Sequence, residues 1–289
     1  MQGTVDGFSY GLVTPVTAFL MACLGAALGL RCTTRSLRTR GASRAGWLAL
    51  GATSIGSGIW TMHFIAMLGF TVREAPVSYD RPLTFASLAV AVVMVGIGIF
   101  LVGYRGATRM ALVTGGTITG LGVASMHYLG MAGMNFEGLF EYDTLTVSLS
   151  VVIAVVAATA ALWAAVSVHG FLPSLCASVV MGVAVSGMHY TGMAALQVHL
   201  HPDAAPAPPG DDPTSLLLPM MIGPGCFLLL AAVVVMIDPL VVTGTPAGPG
   251  RPPGHPRGVG QMTSIPAQRR HTQPYETASR RAYRQSRNR

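Results

Sequence analysis

The stretch GLGVASMHYLGMAG, residues 120–133, sets a histidine between methionines inside a run apolar enough to lie in lipid. An ionisable ring at that depth is costly, so it marks either a bundle interior or a site. Two other stretches carry the same frame: GSGIWTMHFIAMLG at 56–69 and GVAVSGMHYTGMAA at 182–195. Each has Gly seven residues before the His, Met one before, an aromatic one after, Ala or Gly three after and Met four after. His63, His127 and His189 stand 64 and 62 residues apart, close to two membrane crossings each. The repeat unit is therefore a helical hairpin used three times, and the three motif helices run in one direction.

The composition agrees. Of the 289 residues, 51% are hydrophobic and only 10% charged, with a mean hydropathy of +0.55, which excludes an ordinary soluble domain. The net charge of +7 does not mark a nucleic-acid binder, because the arginines avoid the apolar segments and cluster between or after them. All 18 basic residues are Arg, which with the excess of Ala, Gly, Pro and Val fits a GC-rich bacterial genome. Cys23, Cys32, Cys176 and Cys226 show no paired spacing and read as small hydrophobes.

A helix needs roughly 20 apolar residues to cross a bilayer. Seven segments qualify: 8–30, 45–70, 83–104, 110–134, 145–168, 171–196 and 214–237. Arg31, Arg35, Arg38, Arg40 and Arg44 follow the first, and Arg105 and Arg109 follow the third, so these turns are expected in the cytoplasm. The alternate turns hold Arg73 and Arg81 balanced by Glu74 and Asp80, then Glu137, Glu141 and Asp143, then Asp203, Asp211 and Asp212, and are expected outside. The first apolar run has no basic segment before it and reads as a retained helix, not a signal peptide. The expected fold is an all-α integral membrane protein: three hairpins and a final helix over residues 1–240, N-terminus outside. Residues 202–213 read as a Pro-rich external loop, and 241–289 as a disordered basic cytoplasmic tail that can meet anionic lipid electrostatically.

At 100° per residue, Met at +4 lies about 40° from the His, and the aromatic and the preceding Met about 100° to either side. Gly56, Gly120 and Gly182 lie about 20° from the His direction and roughly 10 Å along the axis. Glycine there permits close helix approach, so the histidine faces are expected to point into the bundle.

Met188-His189-Tyr190-Thr191, with the degenerate copies Met126-His127-Tyr128-Leu129 and Met62-His63-Phe64-Ile65, resembles the MHYT family over about residues 6–240. The resemblance implies a bacterial inner-membrane sensor domain that binds copper through Met and His and, through copper, oxygen, carbon monoxide or nitric oxide. Its inferred ligands carry over to His63, Met67, His127, Met131, His189 and Met193, with Met62, Met126 and Met188 as second choices. Many family members are fused to cyclic-di-GMP enzymes or kinases. With only about 50 residues after the last helix, this chain reads as a standalone, non-enzymatic member that signals through a separate partner protein.

The chemistry is compatible with copper: thioethers suit Cu(I), imidazole is borderline, and all are neutral. Hard cations want carboxylates, which these helices lack. Tyr128 and Tyr190 can hydrogen-bond the histidines, although aromatic packing explains them equally well and Phe64 cannot donate. Two other functional classes remain, a haem or copper electron-transfer protein and a metal transporter; against the transporter, no polar path continues through the other membrane half. His199, His201 and Asp203 read as solvated polar surface at a helix end, His169 as a structural turn residue, and Thr191 lacks counterparts. No phosphate loop, hydrolase triad or nucleotide fingerprint occurs.

Overall fold

The computed structural model describes residues 5–7, 9–72, 77–135, 138–200 and 213–237. These belong to the first of two compact units, Met1–Gly244; the second, Thr245–Arg289, has no described residues. The expected tail, His201, Asp203 and most of the Pro-rich loop therefore lie outside the described residues.

Seven helices account for most of them: α1 Val13–Ser36, α2 Ala42–Leu68, α3 Arg81–Arg105, α4 Arg109–Ala132, α5 Thr144–Ser167, α6 Phe171–Ala194 and α7 Pro213–Ile237. Asp80, Thr108 and Asp143 start α3, α4 and α5 by accepting the amide hydrogens of Leu83, Ala111 and Thr146. At the exposed Asp143 the Thr146 hydroxyl and amide hold the carboxyl below its ordinary range. That cap therefore stabilises the fold above the unfolded carboxyl pKa of about 3.9 and is lost as pH falls through the lower folded value. The largest departure from the expected spans is α1, which starts at Val13 rather than residue 8 and ends at Ser36. Gly11 has a left-handed φ of +61° that interrupts any earlier helix, and Arg31 and Arg35 lie inside the last turns rather than in the loop.

Consecutive helices pack as neighbours from α1 to α6, and α6 returns to α1, closing a ring of six; α7 lies against α2 and α1. The glycine seven residues before each histidine makes the contact to the next hairpin. A Cβ on Gly56 would lie 2.8 Å from the Val92 Cα of α3, one on Gly120 2.4 Å from the Val155 Cα of α5, and one on Gly182 2.5 Å from the Cys23 Sγ of α1. The third contact joins the last repeat to the first.

Three antiparallel ribbons clamp the histidine end of the helices. They are β1 (Val5–Asp6) with β2 (Thr71–Val72), β3 (Ser78–Tyr79) with β4 (Met134–Asn135), and β5 (Gly138–Tyr142) with β6 (Leu196–Leu200). Each joins the chain entering a hairpin to the chain leaving it. The backbone repeats this link: the amides of Ser9, Asp80 and Asp143 donate to the carbonyls of Gly69, Gly133 and Ala195, each six residues beyond a histidine. The architecture is all-helical as expected, with these short ribbons added at one end. His199, expected at a helix end, sits on β6 opposite Leu139, with Nδ1 3.6 Å from the Glu141 carboxylate; exposed as it is, such a pair contributes little.

The polarity is inverted relative to a soluble protein. Ser54, Ser57, Thr61, Ser87, Thr119, Ser150 and Ser178 are buried, whereas Val93, Ile97, Val152, Val156, Leu229 and Leu230 are exposed. Five helices, α1, α3, α5, α6 and α7, are long and apolar enough to cross a membrane by length and composition. Both α2 and α4 are comparable in length but carry Gly, Ser, Thr and His inward, as enclosed helices can. At the end away from the histidines, Arg31 stands over Phe171, Arg35 over Trp47 and Arg44 over Tyr104, at 5.1, 5.9 and 4.8 Å. Arg44 also donates to the Gly103 carbonyl. This Arg–aromatic girdle is of the kind found at a membrane interface.

Because Gly120 meets backbone, Gly120→Ala should destabilise the bundle by about 1–3 kcal/mol, seen as a lower unfolding midpoint in detergent. Gly187→Ala, whose Cβ meets nothing within 4 Å, should leave that midpoint unchanged or raise it.

Candidate metal centre

The ring closure brings His63, His127 and His189 together on the bundle axis, each 1–2% exposed. Their Nδ1 atoms form a nearly equilateral triangle, with sides of 3.1 Å (His63 to His189), 3.2 Å (His127 to His63) and 3.3 Å (His189 to His127). The rings stand nearly perpendicular, at 83°, 83° and 87°. Dividing the mean side by √3 puts the triangle's centre about 1.85 Å from each nitrogen. Metal–imidazole bonds of about 2.0–2.1 Å need each side to open by only about 0.3–0.4 Å.

This triangle cannot satisfy itself. A neutral imidazole presents Nδ1 either as a donor or as an acceptor, and three such atoms in a closed ring leave at least one like-to-like contact. A central cation removes the conflict by taking a lone pair from each. Among the described residues this is the group of His, Cys, Asp or Glu side chains able to hold a metal ion, and it contains no carboxylate or thiol.

The frame around the triad is also threefold. Phe64, Tyr128 and Tyr190 lie edge-on to their own histidines, at centroid distances of 4.6, 4.8 and 5.0 Å. The Tyr128 hydroxyl pairs with Ser150 Oγ at 2.6 Å, so what Tyr128 brings to His127 is its ring. One turn back, Ile59, Val123 and Val185 lie four residues before the histidines and line an apolar cavity of about 50 Å³. The residues eight before, Ile55, Thr119 and Met181, line it too.

The methionines divide. Met67 and Met193 share a second cavity, of about 330 Å³, with His189. Met131 is buried in the main core. Met188 lines the axial cavity, Met126 lies in the main core, and Met62 packs in a small cluster with Ala18, Ala22 and Ala66.

Two residues that the sequence reading passed over belong to the site. A Cβ on Gly130 would lie 2.6 Å from His63 Nε2, and one on Gly192 2.4 Å from His127 Nε2. The +3 glycines of the second and third repeats thus seat the histidine of the repeat before. The Nε2 atoms of His63 and His127 are buried there with no hydrogen-bond partner. The +3 position was visible in the repeat alignment, but a single sequence does not show which ring it abuts.

Tyr128→Phe should lower stability by about 1 kcal/mol through loss of the Ser150 bond while leaving the triad in place. Gly192→Ala should disrupt the triad itself. Thermal unfolding of both variants, with and without added Cu(I), separates the two effects: added ion should stabilise the first and not the second.

A model of the family described as "MHYT: Bacterial signalling protein N terminal repeat" matches residues 56–115, 120–178 and 182–244. The chain is 36% identical over 235 residues to the bifunctional diguanylate cyclase/cyclic di-GMP phosphodiesterase MucR of Pseudomonas aeruginosa, covering 80% of this chain and 34% of that one. It is 35% identical over 208 residues to the cyclic di-GMP phosphodiesterase NbdA of the same species, and 30% identical over 206 residues to the signaling protein YkoW of Bacillus subtilis. Each of these matches covers 68% of this chain, and 26% and 25% of the relatives. The chain therefore spans a quarter to a third of the length of these relatives. No solved structure matches it.

Proposed function

The chain belongs to the MHYT family of bacterial signalling repeats, and from that premise we propose that it is a membrane sensor module holding one Cu(I) ion at His63, His127 and His189. The observation that carries the reading is the convergence of three Nδ1 atoms at 3.1–3.3 Å, a polar cluster that no arrangement of protons can satisfy. Charge selects the ion. The solvation cost of an ion grows with the square of its charge, so a monovalent ion among neutral ligands costs about a quarter of what a divalent one does. No carboxylate stands in the cluster to offset a second charge. Soft thioethers at Met67 and Met193 beside His189, with Met131 in the same core, favour Cu(I) over Zn(II).

Bound there, Cu(I) supplies a soft centre with affinity for small neutral π-acceptors, among them oxygen, carbon monoxide and nitric oxide. The chain's own residues prepare for such a guest. Phe64, Tyr128 and Tyr190 wall the rings, and the aliphatic cavity one turn below offers an apolar diatomic a dry void. We read all seven helices as spans of the bacterial plasma membrane, N-terminus and histidines toward the outside and the Arg girdle toward the cytoplasm. Output then passes to a separate signalling partner, and the module itself is not an enzyme. Haem is disfavoured because the triad's spacing, with Gly130 and Gly192 against the rings, leaves no slot for a porphyrin.

Titration of detergent-purified protein with Cu(I) against a competing chelator tests the reading. One ion per chain is expected. His127→Ala and His189→Ala should each weaken binding by more than the roughly 10- to 100-fold that loss of an outer partner costs a metal site. A wild type that binds no copper, or that carries a Soret band, contradicts it.

A further inference from the structure

The three repeats are equivalent in sequence but not in access. Gly130 seats His63 and Gly192 seats His127, each so closely that a Cβ would fall 2.4–2.6 Å from the ring nitrogen. In the first repeat the +3 residue is Ala66, which lines a cavity together with His189. His189 stands beside an open volume there instead of a close-packed glycine. The gap is the cavity of about 330 Å³ between Ala66, Met67 and Phe70 of the first repeat and His189, Tyr190 and Met193 of the third. Of the three methionines at +4, Met67 and Met131 are each 1% exposed, whereas Met193 is only partly buried. His189 thus has one face on the triad and another on this cavity.

Resting on the copper reading above, we propose that the α2–α6 seam is the path to the metal site, with Met67 and Met193 as transient thioether ligands and His189 as the receiving histidine. A cation leaving water needs a continuous series of donors, and two soft neutral sulfurs beside an imidazole provide one for Cu(I) but not for Na(I) or Mg(II). The path lies at the seam where the threefold pattern of the sequence breaks, the +3 residue being Ala66 rather than glycine. No electron is transferred: the ion is handed from thioether to imidazole with its charge unchanged.

The test has an arm that needs no metal. In the full chain with its four native cysteines replaced by alanine, Met193→Cys should react with a small methanethiosulfonate roughly tenfold faster than Met131→Cys, since thiol modification follows access. Equal rates overturn the path. In the second arm, silver(I), a redox-inert soft monovalent ion, is mixed with protein in detergent and filling is followed in time. Met193→Leu should fill severalfold more slowly than wild type to the same final stoichiometry, and Met110→Leu, at an exposed methionine near the start of α4 and far from the triad, at the wild-type rate. A wild type that takes up no silver, while Met193→Cys still labels, overturns the metal reading and the path with it. A wild type that fills, with Met193→Leu filling equally fast, overturns the path alone.

Discussion

Three imidazoles can meet at one point only if the helices that carry them approach closely, which small residues between them allow. The glycines at −7 and +3 satisfy this condition at two levels of the bundle. Gly56, Gly120 and Gly182 let each motif helix lie against the first helix of the next hairpin, and the last of these contacts closes the ring onto α1. Gly130 and Gly192 then let the histidine rings turn their Nδ1 atoms to the axis. The ribbons at the same end tie each hairpin's entering and leaving chains together, so the histidines are held where the fold is most constrained. The triad therefore results from the same repeated contacts that build the bundle.

A lipid solvent explains why the arrangement looks inverted. Between helices in a bilayer the hydrophobic effect gives little, and association rests on close packing and polar contacts. The small residues and hydroxyls accordingly face inward, as at Ser54, Thr84 and Ser87, and the branched aliphatics face outward, as at Val152 and Val156. Trp60 shows the rule in detail: it is fully buried, and its indole N–H finds the Thr84 carbonyl and the Ser87 hydroxyl. Burying three histidines in such a core is costly unless something takes up their lone pairs.

Much of this was legible in the sequence because a threefold repeat makes one observation three times. The spacing of His63, His127 and His189 showed parallel motif helices, and the −7 glycines showed a close-packed face. Most spans fell within about two residues of the helices; the first did not, since a hydropathy window cannot see that Gly11 takes a left-handed φ. The two-residue ribbons have no period to detect. By contrast LQVHL, residues 196–200, alternates as a strand should and was readable beside GLFEY at 138–142. The pairing of Gly130 and Gly192 with the previous repeat's histidine was out of reach, because it depends on the direction in which the ring closes. So was the inequivalence of the methionines at +4, of which Met67 and Met131 are fully buried and Met193 only partly.

The central claim is that ring closure places three histidine nitrogens around a single ion. X-ray absorption spectroscopy of the Cu(I)-loaded protein addresses it directly. The account predicts a first shell of three nitrogens at about 2.0 Å, with the outer-shell scattering of three imidazoles. A shell dominated by sulfur, or one containing a single imidazole, would contradict it.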